Sequence, residues 1–154
     1  MEIQTDAMPS RLRNLPSRLL NLGAAHASRL VGEALASADA RQYHYALLAA
    51  LDEFGAASQS ALSDRTGIYR SDLVSTINEL TDRGLVERTP DPDDRRRNVV
   101  TLTPEGRVFL HRLDDLIART QKELLAPLSP SEREDLTRLL ARLHDHHVEE
   151  RRRA

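Results

Sequence analysis

The chain reads as mainly α-helical with one small β-hairpin, and three observations predict this. Apolar residues recur at three- and four-residue steps over most of the length, and only residues 85–89 and 98–102 turn β-prone. The apolar palette is aliphatic: 40 % of residues are apolar, 3 % are aromatic and none is Trp, which suits helix packed on helix. A length of 154 residues supplies one core, so residues 1–154 are expected to form a single domain.

Each element has its own signal. Leu15, Leu19, Leu22, Leu30 and Val31 mark a first helix from Leu12 to Leu35, with Pro16 giving a frayed or kinked start. Tyr43, Leu47, Leu48, Leu51 and Phe54 define the second, stopped at Gly55, where a left-handed residue ends a helix. Ser58 caps a short third helix through Thr66, with Ala61 and Leu62 inward, and Thr66-Gly67-Ile68 makes a tight turn. In the fourth helix Leu73, Val74, Ile77 and Leu80 form the apolar stripe, while Arg70, Ser71, Asp72, Ser75, Thr76 and Asn78 lie mostly off it. Gly84 ends this helix. The two β-prone runs then bracket residues 90–97, turn formers and charges too many for a minimal hairpin turn, so the tip is extended and exposed. Thr103-Pro104-Glu105 opens a fifth helix that Val108, Leu110, Leu113, Leu116 and Ile117 carry to about Ala126. The capping box Ser129-Pro130-Ser131-Glu132 starts a sixth, which runs to about His147 before Arg151, Arg152 and Arg153 fray.

Several classes of chemistry are excluded. Without cysteine there are no disulfides, thiolate nucleophiles or Cys-ligated metals. His144 and His147 could share a helix face, but with no Glu-x-x-His constellation they read as surface or interface residues, and no metal or cofactor is expected. There is no nucleophile elbow, phosphate-binding glycine loop or zinc-protease helix. Asp93-Asp94 and Asp114-Asp115 are sequence neighbours that diverge on any regular element, so no enzyme is expected. Residues 1–10 lack a basic-then-apolar leader, and no stretch reaches the roughly 18 apolar residues of a membrane span. The expectation is a cytoplasmic protein with no membrane partner. A net charge of −2 gives no overall basic field, so any nucleic-acid surface is local.

A short helix, a tight glycine turn, a polar-faced helix and a basic-tipped hairpin make residues 42–103 a winged helix-turn-helix. An α-helix fits the major groove of B-DNA, where Ser71, Ser75, Thr76 and Asn78 are the right size to meet base edges. Arg95, Arg96 and Arg97 suit phosphates or the neighbouring minor groove. Between Ser58 and Thr103 seven arginines face eight acids, so affinity rests on placement and on doubling by a dimer. The leucine-rich helices over residues 12–36 and 104–150 are expected to bury their surplus apolar faces in that dimer, whose recognition helices would match a pseudo-palindromic operator.

The residues resemble the MarR family of bacterial winged-helix regulators. The resemblance rests on Ser58-Gln59, Gly67-Ile68, the run from Leu80 to Val86, the run from Asp91 to Arg97, and Leu102-Thr103-Pro104-Glu105-Gly106. Most specific is Asp94-x-Arg96 followed, after five intervening residues, by Leu102-Thr103. It implies a two-fold dimer, a minor-groove role for Arg96, a supporting role for Asp94 and phosphate contacts by Arg95 and Arg97. Tyr69 stands where the family often has a capping Ser or Asp, so the recognition helix begins differently or Tyr69 itself touches DNA or the preceding helix. His26, Tyr43 and His44, with Tyr45 beside them, are the candidates for a pocket near the dimer seam that takes a phenolic or aromatic carboxylate ligand. The expected function is double-stranded DNA binding by a transcription regulator, a repressor relieved by such a ligand. The alternative is a winged-helix module that contacts only protein.

Overall fold

The computed structural model describes residues 8–154. Residues 1–7, and with them most of the leader reading of residues 1–10, lie outside the described residues. In chain order the elements are α1 (Ser10–Arg13), α2 (Pro16–Ala36), α3 (Gln42–Phe54), α4 (Gln59–Thr66), α5 (Arg70–Asp82), β1 (Val86–Pro90), β2 (Asn98–Leu102), α6 (Pro104–Leu124) and α7 (Pro130–Arg153). The expected class is found, mainly α with a two-stranded antiparallel hairpin. There are seven helices among the described residues where six are expected. The extra one comes from Pro16, which sits in the first turn of α2 and holds Leu15 in an extended conformation, so the chain breaks there instead of kinking.

The chain divides into two compact units, one ending at Thr120 and one spanning Gln121–Ala154. The core of the first is built from Leu35 of α2, Leu47 and Leu48 of α3, Leu62 of α4, Leu73, Ile77 and Leu80 of α5 and Leu113 of α6, all fully buried. Two polar ties pin α6 onto α3. Arg107 pairs with Asp52 at 2.9 Å, and the Tyr45 hydroxyl donates to Asp114 at 2.7 Å. Burial, reinforced by that hydrogen bond and the adjacent carboxylate charge, pushes the Tyr45 hydroxyl up to about 12. A third tie joins α3 to α5. His44, only 4 % exposed, accepts the Arg41 backbone N–H on Nδ1 at 3.0 Å, so its Nε2 carries the hydrogen donated to Glu79 at 2.6 Å. His44 and then Arg41, which also pairs with Glu79, hold that carboxyl below the usual carboxylate range.

The turn-formers act as their chemistry predicts. The Ser58 hydroxyl accepts from Ala61 N–H at 3.2 Å, and Gly67 closes α4 in the left-handed region at φ 71°. In the hairpin Val86 pairs with Leu102, Arg88 with Val100 and Pro90 with Asn98. A single bridge from Ala57 to Val100 adds a third edge, which no periodicity in the sequence announces. Thr103 caps α6 by accepting from Gly106 N–H at 3.0 Å and donates to the Gly84 carbonyl at 2.7 Å. Val108 is not part of the inward stripe. It is 72 % exposed because it lies about 160° around the helix from Leu110.

In the second unit the capping box forms as expected, Ser129 and Glu132 exchanging hydrogen bonds at 2.9 and 3.2 Å. Arg133 closes the preceding turn by donating to the carbonyls of Leu125 and Leu128. The frayed end expected after His147 is corrected: α7 continues to Arg153, and its last-turn arginines complement the negative end of the helix dipole. Leu139, Leu140 and Leu143 of α7 stay exposed, as do Leu15, Leu19 and Leu20 around the start of α2.

Candidate nucleic-acid interface

Helix α5 buries one face and presents the other. Leu73, Ile77 and Leu80 are fully buried, whereas Arg70, Ser71, Asp72, Ser75 and Asn78 are exposed. Two positions depart from the expected stripe. At about 100° per residue, Thr76 falls only about 60° from Leu73 whereas Val74 falls about 100° away. Thr76 is therefore 1 % exposed and Val74 is on the outer face. The Thr76 hydroxyl donates to the Asp72 carbonyl at 2.7 Å, so the expectation of an outward, base-facing Thr76 is corrected. Asp72, in the first turn, complements the positive end of the helix dipole. Tyr69 precedes the helix with no capping hydrogen bond from its side chain and is 80 % exposed.

Between α5, the start of α4 and the hairpin lies a groove of about 680 Å³. Ser60, Arg70, Val74, Arg88, Arg97 and Asn98 are among its lining residues, and no carboxylate is. Three arginines, one from α5, one from β1 and one from the wing loop, thus line one trough, although the region as a whole carries more acid than base. Arg88 Nη2 donates to Asn78 Oδ1 at 2.6 Å, and Arg70 Nη2 reaches Ser60 Oγ at 3.5 Å.

The wing tip is an internally bonded loop. Asp91 Oδ1 accepts from Asp93 N–H at 3.0 Å, Asp94 Oδ1 accepts from Arg96 N–H at 3.1 Å, and the Asp91 amide donates to the Arg97 carbonyl at 2.8 Å. Asp94 therefore holds the backbone of Arg96, while its ion-pair partner is Arg97 at 3.9 Å. Among the described residues Arg95 and Arg96 have no carboxylate within 4.0 Å. Their side chains stand exposed at the tip.

A model of the MarR family matches residues 40–97, the segment that holds α3, α4, α5, β1 and all of the groove lining except Asn98 and Val100. PcaV, a transcriptional regulator of Streptomyces coelicolor solved with its natural ligand, is 32 % identical with a TM-score of 0.73, covering 90 % of this chain and 97 % of its own. The chain belongs to the MarR family. The repressor CouR, solved on a 23-mer DNA duplex, is 26 % identical with a TM-score of 0.81, covering 94 % of this chain and 99 % of its own. A protein of Thauera aromatica described as a transcriptional regulatory protein for the hcr operon is 36 % identical over 100 residues, 65 % of this chain. That match spans 60 % of the length of the curated relative.

Within this MarR-family chain Ser71, Asp72 and Ser75 lie on the exposed face of α5 outside the groove, and Asp94 braces the wing tip. Arg70, Asn78 and Arg97 meet at or beside the groove, and Arg95 and Arg96 sit at the wing tip. The ligand candidates are not gathered. His44 borders a separate cavity of about 570 Å³ with Asp39, Arg41, Glu79, Asp82 and Arg83, which neither His26 nor Tyr43 lines. Both His44 nitrogens are already engaged inside the chain. Sequence reasoning missed Arg88, Ser60 and Asn98. The usable signal for Arg88 is hairpin register: opposite the buried Val100, it falls on the face turned toward α5.

Proposed function

We propose that this protein is a sequence-specific double-stranded DNA-binding transcription regulator, acting as a homodimer over a single MarR-like domain, residues 1–154. Helix α5 enters the major groove with Ser71, Asp72 and Ser75 toward the bases and Arg70 and Asn78 at its phosphate-facing edge, Arg96 enters the minor groove, and Arg95 and Arg97 bind phosphates. The carrying observation is the trough of Arg70, Arg88 and Arg97 with no acid among its lining. Placement thereby supplies what net charge withholds. CouR bound to a duplex supports the DNA partner. The uncovered leucines around α2 and on α7 support burial against a second copy. PcaV in complex with its natural ligand supports a small-molecule partner; the proposed effector, relieving repression, is a small phenol or aromatic carboxylate. The setting is the cytoplasm, and no helix among the described residues is long and apolar enough to cross a membrane.

Selection of bound duplexes from a random pool tests the reading and returns site, symmetry and half-site spacing together. Arg96→Ala weakens binding to the selected duplex by about 1 to 3 kcal/mol with an unchanged melting curve. Wild-type affinity in that variant removes Arg96 from the mechanism. The near-neutral charge favours a second reading, a module that contacts only protein. Absence of duplex binding even in dilute buffer would select it.

A further inference from the structure

Asn78 has the size and position of a base reader, yet its carboxamide oxygen already accepts the 2.6 Å hydrogen bond from Arg88 across the gap between α5 and β1. We infer that Asn78 is a positioning residue: it aims the Arg88 guanidinium at a DNA phosphate seated among Arg70, Arg88 and Arg97, without neutralising it. This inference rests on the DNA-binding reading above.

The chemistry follows from what an amide is. A guanidinium has five N–H donors in a rigid fork, so one bond to Asn78 fixes its direction and leaves four donors for phosphate oxygens. A carboxylate at position 78 would fix it equally well but cancel its charge. The neutral acceptor keeps the full positive charge in the groove, none of whose lining residues is acidic. Arg70 and Arg97 approach the same space from the start of α5 and the end of the wing loop. A phosphodiester bound there would hold the recognition helix and wing in register on the duplex and read no base.

The test measures wild type, Asn78→Asp, Asn78→Ala and Arg88→Gln on a duplex selected from a random pool, and on its shuffled counterpart, across a salt series. Each lost phosphate contact lowers the slope of log affinity against log salt by about 0.9, so two copies in a dimer lose about 1.8. Asn78→Asp and Arg88→Gln are expected to lose close to that slope and to weaken both duplexes on the order of tenfold at moderate salt. Asn78→Ala keeps the charge but not its direction, so binding falls a few-fold on both duplexes with base preference intact. Three results overturn the inference: wild-type affinity and slope in Asn78→Asp, wild-type affinity and slope in Arg88→Gln, or a changed base preference at one operator position in Asn78→Ala, which makes Asn78 a base reader. If wild type binds neither duplex in dilute buffer, the DNA-binding reading falls and this inference with it. If wild type binds and the variants match it, only this inference falls.

Discussion

Replacing Gly106 by alanine tests how tightly the first turn of α6 is pressed against the root of the wing. A Cβ at this position would overlap the Leu85 carbonyl oxygen and stand 2.9 Å from the Leu85 carbonyl carbon and 2.7 Å from Leu102 Cδ1. Carbon atoms at rest are about 3.5 to 4.0 Å apart, so the helix and the Leu85 backbone must separate by about 1 Å. That movement takes two bonds out of range, the 3.2 Å bond from Thr103 N–H to the Leu85 carbonyl and the 2.7 Å bond from the Thr103 hydroxyl to Gly84. Each is worth about 1 kcal/mol net. Overpacking costs roughly 1 to 3 kcal/mol more, and the better helix propensity of alanine returns about 1. The clash wins, and Gly106→Ala is expected to lose about 2 to 4 kcal/mol. For a chain of this size that lowers the melting temperature by roughly 5 to 15 °C. Thermal and urea unfolding followed by circular dichroism read the loss. Because the main obstacle is backbone, adding Leu102→Ala does not restore stability. A single variant that melts at or above wild type would refute the close approach.

Two further outcomes follow from polar side chains packed at or in the core. The Tyr45 hydroxyl titrates higher in the folded chain than in the unfolded one, so its contribution is complete below pH about 10 and disappears as pH rises toward 12. The gap in melting temperature between wild type and Tyr45→Phe should therefore close over that alkaline window, and a gap still present at its upper end counts against the Asp114 bond. Thr76→Val removes a hydroxyl that only bonds back to Asp72, so stability changes by about 1 kcal/mol or less and duplex selection returns the wild-type operator. A shifted base preference would put Thr76 back on the DNA.

Much of this fold was legible because its signals are local. Ser58, Gly67, Thr103 and the Ser129–Glu132 box each cap or end a helix through bonds within a few residues, and each was readable from order alone. What failed was angular resolution. Val74 and Thr76 differ by two positions, and only the measured burial of α5 shows which belongs to the core. Apolar spacing that continues across Pro16 signals one helix with a frayed or kinked start, and it carries no measure of the cost of the helical conformation at Leu15, which breaks the chain there. In the candidate site the wing tip was visible as a charged turn with a specific spacing. The trough was not, because Arg88 and Ser60 are separated by 28 positions and share a cavity only once the hairpin register is known.

The loop at the hairpin tip has one more consequence. Asp91 and Asp94 spend their side-chain oxygens on the amides of Asp93 and Arg96, so the acids that dilute the local charge also stiffen the segment. The conformational freedom of that backbone is surrendered when the chain folds, not when a partner arrives. Losing Asp94 would thus release Arg97 from its ion pair and slacken the backbone that carries Arg96, a defect of the arm that surfaces as a faster off-rate more than a slower encounter.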